Sequence, residues 1–213
     1  ELCKIYSGFS WHHKIIILDN RFISERVNQI RNWNMEFIHG DILDKELVNK
    51  HFHNADIVHH LAGITEVPRT KSESSQAVDE KIRLVGEKGT QNILDSISDK
   101  CKIIFPSTHV IYEGIENVKN DISENENSKP VLSYSTSKAI NEKQLKDSGK
   151  NYVILRLGSV YGYSTDTARI DIMPNLFSKI SSQNGTLKLF SGGRQLKSLV
   201  PLIDVARCFK FME

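Results

Sequence analysis

Apolar residues in this chain gather into five short runs, separated by longer stretches with helical spacing. Lys14-Ile15-Ile16-Ile17-Leu18-Asp19 is the first run. It is rich in β-branched residues and too short for a typical helix, so it predicts a buried strand. Four further strands are predicted at Met35 to His39, closed by Gly40-Asp41, at Asp56 to Leu61, closed by Ala62-Gly63, at Lys102 to Phe105, and at Tyr152 to Arg156. Helical spacing covers about 21–31, 43–53, 75–98 and 134–148. Within 75–98, Val78, Ile82, Val85, Gly89, Ile93 and Ile97 recur at steps of three or four and form one stripe. Strands that alternate with helices predict a doubly wound α/β fold with a parallel sheet and crossover connections. Such strands are buried on both faces and should be continuously apolar, as these are. The polar stretch 113–131 predicts a surface loop. After about residue 163 the pattern becomes irregular, with a helix near 172–182, a strand near 186–190 and a turn at Ser191-Gly192-Gly193. The expected division is a main domain over 1–162 and the start of a smaller region over 163–213.

Composition narrows the function classes. The 213 residues are 39% hydrophobic and 25% charged, ordinary for a globular protein. The formal net charge of +2 is spread over interspersed signs, which offers no footprint for nucleic acid or an anionic membrane. No apolar run reaches the roughly 18 residues of a membrane span, and no signal peptide is evident. Cys3, Cys101 and Cys208 lie far apart without paired spacing. That argues against a disulfide framework or a zinc site and favours a reducing, cytoplasmic setting. His51, His53, His59 and His60 could suggest a metal, but packed or exposed imidazoles are the expected reading and no metal is predicted. The chain opens on Glu1 and stops at Phe211-Met212-Glu213 within a helical pattern, so both ends are expected to be cut.

The sharpest chemical signal is Tyr134-Ser135-Thr136-Ser137-Lys138. Positions four apart share a helix face, so a phenol and an ammonium can address one site. A phenol ordinarily titrates near 10, and a neighbouring cation lowers that value. A phenol so tuned can exchange a proton with a substrate hydroxyl near neutral pH. Alone, the spacing also fits two surface helix residues. Context strengthens it: the fourth strand runs into Pro106-Ser107-Thr108, which places hydroxyls at the carboxyl end of a parallel strand, where doubly wound sheets bind ligands. Those hydroxyls could instead satisfy local backbone groups. Asp19 ends the first strand, where a carboxylate can accept from an adenosine ribose and repel a 2′-phosphate, favouring NAD over NADP. Arg21 could soften that preference, and Asp19-Asn20 could be a simple turn.

Taken together, these segments resemble the extended short-chain dehydrogenase/reductases, the NAD-dependent sugar-nucleotide epimerases and dehydratases. Ile15 to Asn20 is similar to that family's second strand with its ribose-binding acid. Gly40-Asp41-Ile42 is similar to the Gly-Asp pair whose acid and following residue lie against the adenine. His60-Leu61-Ala62-Gly63 resembles the cofactor-lining His-Leu-Ala-Ala segment, and Gly89 to Leu94 the Gly-Thr-x-Asn-Leu-Leu helix. Ser107-Thr108 with Val110-Ile111-Tyr112 resembles the Ser-Ser/Thr strand end. Tyr134 to Glu142 matches Y-x-x-S-K-x-x-x-E, Arg156 and Val160-Tyr161-Gly162 match the sixth-strand pattern, and Asp204-Val205-Ala206 matches the returning segment.

The resemblance implies a Rossmann-like NAD-binding domain and a substrate-binding region. It implies Tyr134 as general acid/base, Lys138 as the group that lowers its pKa and binds the nicotinamide ribose, and Thr108 as a hydrogen-bond partner of the reacting oxygen. NAD would be lined by Asp19, Asn20, Asp41, Ile42, Leu61, Ala62, Gly63, Ser107, Tyr134 and Lys138. Substrate would meet Thr108, Ser159 and Lys197. Ser159 stands where the family has a substrate-binding Asn, Lys197 where it has Arg, Pro201 where it has His, and Ile203 where it has the first of two acids. The family's first strand and Gly-x-x-Gly-x-x-Gly phosphate loop are missing, with Glu1 to Ile5 similar to the helix that follows the loop, so residues 1–213 alone are expected to bind NAD poorly. The family's 4,6-dehydratases carry Thr-Asp-Glu at the strand end, whereas His109 and Val110 follow Thr108 here. A 4-epimerase is therefore expected rather than a dehydratase. A reductase of the same family, or a silent NAD-binding sensor, are the alternatives. Many relatives pair through the helices equivalent to 75–98 and 134–148, which implies a homodimer.

Overall fold

Side-chain branching and burial produce the expected sheet elements. The computed structural model describes residues 1–7, 13–65, 75–117, 119–163 and 169–213. Residues 164–168, inside the smaller region expected from 163, lie outside the described residues. Two compact units are present: residues 10–156 with Glu213, and residues 1–9 with 157–212.

In the larger unit, β1 (Ile16–Asp19) and β2 (Glu36–His39) run parallel, with Asp19 opposite His39. A second sheet has the order β3 (Ile57–His59), β4 (Lys102–Thr108), β5 (Asn151–Leu157), with Ile57 opposite Lys102 in a parallel pair. These are the five expected strands. Among the described residues no strand joins β1 to β3. The fold is Rossmann-like, a doubly wound parallel α/β arrangement.

Helices alternate with the strands. α1 (Leu2–Ser7) belongs to the smaller unit, and α2 (Ser24–Asn32) connects β1 to β2. α3 (Lys45–Phe52) follows β2 and starts at Asp44, whose side chain accepts from the Leu47 N–H at 3.0 Å. Burial of Val48, Ile93, Ile103, Phe105 and Leu145 forms the centre of the core. Each such side chain contributes about 1.5–3 kcal/mol relative to exposure.

The expected helix over 75–98 is not one α-helix. It divides into α4 (Gln76–Arg83), a π-helical turn (Leu84–Lys88) and α5 (Gly89–Ser96). The cause is a neighbour. Amides on α6 (Ser133–Asp147) reach into the widened turn: Asn141 Nδ2 donates to Gly86 O at 3.0 Å and Gln144 Nε2 to Glu87 O at 3.0 Å. A Cβ at Gly86 would stand 2.3 Å from Ser137 Oγ, so the missing side chain permits that approach. A π turn frees carbonyls from the helical ladder, and here another helix satisfies them.

In the smaller unit, β6 (Ser159–Tyr161) pairs parallel with β7 (Leu199–Pro201), and the Ser159 N–H donates to Ser198 O at 2.7 Å. α7 (Met173–Ser182) carries Pro174 in its first turn, where a missing N–H costs nothing. α8 (Leu202–Phe211) packs on α1, with the Lys210 ammonium 4.9 Å from the Tyr6 ring centroid. The strand expected near 186–190 is corrected: residues 185–189 form no strand, and Leu187 and Leu189 are exposed. The alternation there finds no strand partner among the described residues, and the ladder with β6 goes to β7. The expected turn at 191–193 has both Gly192 and Gly193 at positive φ, 65° and 74°.

Candidate functional site

The carboxyl end of β4 and the first half of α6 meet within the larger unit. Thr108 is nearly buried and caps the short 3-10 turn His109–Tyr112, its Oγ1 accepting from the Val110 N–H at 3.3 Å. Tyr134 and Lys138 lie one turn apart on α6. The Lys138 Nζ donates to Pro106 O at 2.7 Å and sits 4.3 Å from the Phe105 ring centroid. Burial lowers the Lys138 ammonium to about 8. At neutral pH it remains a cation, with its charge anchored to the strand end that carries Thr108.

Ser107 behaves differently. Its hydroxyl is 3% exposed and donates to Glu142 Oε1 at 2.6 Å. Arg156 closes on the same carboxylate, Nε to Oε1 at 2.9 Å and Nη2 to Oε2 at 2.7 Å. The guanidinium also donates through Nη1 to the Tyr112 hydroxyl and to Glu124 O. Burial pushes the Glu142 carboxyl up, but Arg156 and Ser107 outweigh it and hold it below the usual range. This network ties β4, α6 and β5 together beneath the site.

The segment after β3 is built on a buried histidine. His60 is 2% exposed, and its Nε2 shares a hydrogen bond with Thr90 Oγ1 at 2.8 Å. Its Nδ1 is buried with no hydrogen-bond partner among the described residues. Burial, with Lys138 nearby, lowers the imidazole from 6.5 to about 3, so it is neutral at pH 7. The unfolded chain takes up a proton here between pH 6.5 and about 3 that the folded chain refuses. Stability from this group is therefore whole above 6.5 and falls as pH drops through that window. Urea unfolding between pH 6 and 4 should show a stability slope steeper by about one proton than in His60→Gln, and equal slopes would contradict it. Beyond His60, Leu61 is 54% exposed, and no atom of the described residues lies within 4 Å of where a Cβ on Gly63 would be. Ala62 packs against the core.

Three polar side chains stand at or just past the ends of β1 and β2. Asp19 Oδ1 accepts from the Arg21 N–H at 2.9 Å, and its Oδ2 takes no hydrogen bond among the described residues. Asn20 Nδ2 donates to Asp41 Oδ2 at 3.0 Å, and Asp41 Oδ1 accepts from the Leu43 N–H at 2.9 Å. Ile42 turns its side chain into the core, against Gly89, where a Cβ would lie 2.2 Å from Ile42 Cδ1. Asn92 Nδ2 donates to Ile42 O at 2.9 Å and Leu43 O at 3.2 Å. Gly89, Thr90 and Asn92 thus have separate tasks: close approach, holding His60, and fixing the backbone beside Asp41.

Ser159 and Lys197 belong to the smaller unit. Ser159 lies in β6, and Lys197 is exposed, two residues before β7. Among the described residues no group of three or more His, Cys, Asp or Glu is placed to hold a metal. His53 Nδ1 meets Asn49 O at 3.0 Å and His59 Nε2 meets Glu213 Oε1 at 2.9 Å. The three cysteines are free, and burial pushes the Cys101 thiol up to about 11. Among the described residues no helix is long and apolar enough to cross a membrane.

Comparison with known proteins places the chain in a family. Residues 7–212 match the model of the "NAD dependent epimerase/dehydratase family". A dTDP-D-glucose 4,6-dehydratase of Dictyostelium discoideum is 26% identical over 217 residues, 92% of this chain and 48% of that protein. A UDP-N-acetyl-alpha-D-glucosaminuronate decarboxylase of Bacillus cytotoxicus is 28% identical over 205 residues, 90% of this chain and 61% of that one. The chain thus spans about half the length of the curated relatives it matches. Among solved structures, a UDP-glucuronic acid 4-epimerase from Bacillus cereus superposes with a TM-score of 0.79 at 22% identity, covering 98% of this chain and 67% of the other. That protein was solved with NAD and UDP-4-deoxy-4-fluoro-glucuronic acid.

Proposed function

The chain belongs to the NAD-dependent epimerase/dehydratase family, and on that premise we propose that the full-length protein is an NAD-dependent 4-epimerase of a sugar nucleotide. The observation that carries this reading is the anchoring of Lys138 on Pro106 O, which sets the face of α6 bearing Tyr134 against the strand end bearing Thr108. The residues at hand fit NAD. Asp19 offers Oδ2 to a ribose diol, Asn20 holds Asp41 just past the end of the neighbouring strand, and Leu61 is exposed after β3. Bound NAD supplies a two-electron oxidant whose reduced form returns the electrons within the same turnover. Tyr134 takes the proton from the sugar 4-hydroxyl as the keto-sugar forms, and gives it back when the opposite epimer is made. Lys138, cationic below about 8, favours the phenolate and can hold the nicotinamide ribose. Thr108 hydrogen-bonds the reacting oxygen. Ser159 and Lys197 are the substrate residues that the resemblance implies, and Lys197 keeps a charge without the bidentate fork of Arg.

Val110 favours epimerisation over elimination. Loss of water needs a second acid/base pair, because Tyr134 is occupied at the 4-oxygen. His109 could supply one member, but Val110 cannot transfer a proton. The dehydratase and decarboxylase relatives keep those reactions as rivals, and a family reductase is a further one. An epimerase has no net oxidation. With one NAD per chain and excess UDP-glucuronic acid or dTDP-glucose, it should complete many turnovers without added oxidant. Conversion that stops at one equivalent of reduced cofactor would identify a dehydrogenase or reductase instead.

We further propose a cytoplasmic homodimer paired through α4, α5 and α6, an arrangement supported by the exposure of Leu84 on the π turn. Sedimentation of the intact protein at the mass of one chain would contradict the dimer.

A further inference from the structure

The helix that carries Tyr134 begins without a side-chain cap of its own, because Leu132 stands at the cap position. The first N–H groups of a helix have no partner within it, and a carboxylate placed there answers both the orphan donors and the dipole. Here a carboxylate from a distant part of the sequence takes the Leu132 N–H at the cap position and the Val131 N–H just before it. Glu113 directly follows the 3-10 turn that Thr108 caps. Its Oε1 accepts from the Val131 N–H at 2.8 Å, the Leu132 N–H at 2.7 Å and the Ser135 hydroxyl. Ser135 is 1% exposed and adjoins Tyr134 in sequence. The intervening loop is drawn shut beneath this contact, with the Gly114 N–H on Lys129 O at 2.9 Å and the Lys129 N–H on Ile111 O at 2.8 Å. A Cβ at Gly114 would stand 2.6 Å from Lys129 O, so this closure needs glycine.

We propose that Glu113 is a positioning residue for the reaction, clamping the first turn of α6 to the turn after β4 so that the Tyr134 hydroxyl is held in register with Thr108. Through Oε1 one carboxylate grips the backbone just before Tyr134 and the side chain just after it. Thr108 is fixed to the same turn from its other end through the Val110 N–H. The two groups that address the substrate oxygen are thus joined through Glu113. Displacements of about 1 Å at a reacting group can cost 100-fold in rate. The inference rests on Tyr134 being the acid/base, and its test separates the two ideas.

Three forms of the full-length protein decide it: unmutated, Glu113→Ala and Glu113→Gln. Glutamine keeps an oxygen for the N–H donors without the charge, and alanine removes the clamp. Amide exchange over residues 131–136 should quicken about tenfold in Glu113→Ala and stay near the unmutated rate in Glu113→Gln. With NAD bound and UDP-glucuronic acid and dTDP-glucose as probes, kcat should fall about tenfold or more in Glu113→Ala with KM within about threefold, and Glu113→Gln should restore most of it. A general loss of stability would not produce that split. Unchanged exchange in Glu113→Ala overturns the clamp. Faster exchange with an unchanged kcat overturns its part in the reaction. If the unmutated protein converts neither probe while exchange still responds to Glu113, the clamp stands and the epimerase reading fails.

Discussion

Replacing Tyr134 with phenylalanine is expected to lower turnover by about 10²–10⁴-fold, the usual contribution of a positioned acid/base. The ring remains, so packing around α6 persists and NAD should bind with nearly unchanged affinity. Only the proton route at the 4-oxygen is lost. Lys138 stays on Pro106 O in that variant, because its anchor does not involve the phenol. The check pairs a turnover assay on a sugar nucleotide with calorimetric titration of NAD. Retained turnover would remove Tyr134 from the chemistry, and lost NAD affinity would make it a binding residue.

The second large effect concerns stability. Glu142→Ala is expected to destabilise the fold by about 3–5 kcal/mol, the range for breaking one partner of a buried ion pair. Glu142 is 4% exposed, and the substitution leaves the Arg156 guanidinium, whose side chain is 17% exposed, without its carboxylate and the Ser107 hydroxyl without its acceptor. Breaking the pair between Lys143 and Asp147 on the same helix gives the control. It is as short, 2.6 Å, but its side chains are 77% and 62% exposed. Asp147→Ala should therefore cost less than about 1 kcal/mol. Urea unfolding of both variants measures the contrast, and similar losses would mean that the Glu142 network is not the anchor described. The Glu142 carboxyl also titrates below its usual range, held there against burial by Arg156 and Ser107. Its contribution is present above the ordinary carboxylate range and is lost as pH falls through the lowered value.

The strands were legible because each is a short run centred on apolar, mostly β-branched residues. Ile16 to Asp19 and Ile57 to His59 show this, although β1 is only half-buried and Ile57 is exposed, and the parallel pairing followed from the intervening helices. Other features depend on partners far away in sequence. The π turn at Leu84–Lys88 exists because Asn141 and Gln144 reach its carbonyls from α6, more than fifty residues on. Leu187 and Leu189 alternate as a strand would, yet among the described residues no backbone pairs with them as a strand. The chemistry divides along the same line. Tyr134 and Lys138 could be placed together because helical spacing is local. The engagement of Ser107 with Glu142 could not be read from a hydroxyl at a strand end, since the carboxylate lies 35 residues away. Glu113 sits in a stretch that composition marks as plain surface loop. Its one local signal is the absence of any capping side chain at the start of α6.

The most direct test of the whole account is the mass and stereochemistry of the products. The full-length protein with NAD, incubated with UDP-glucuronic acid and dTDP-glucose, should yield from at least one of them a product of unchanged mass whose NMR spectrum shows inversion at carbon 4. A product lighter by one water would show that Val110 does not prevent elimination, and that the protein is a dehydratase.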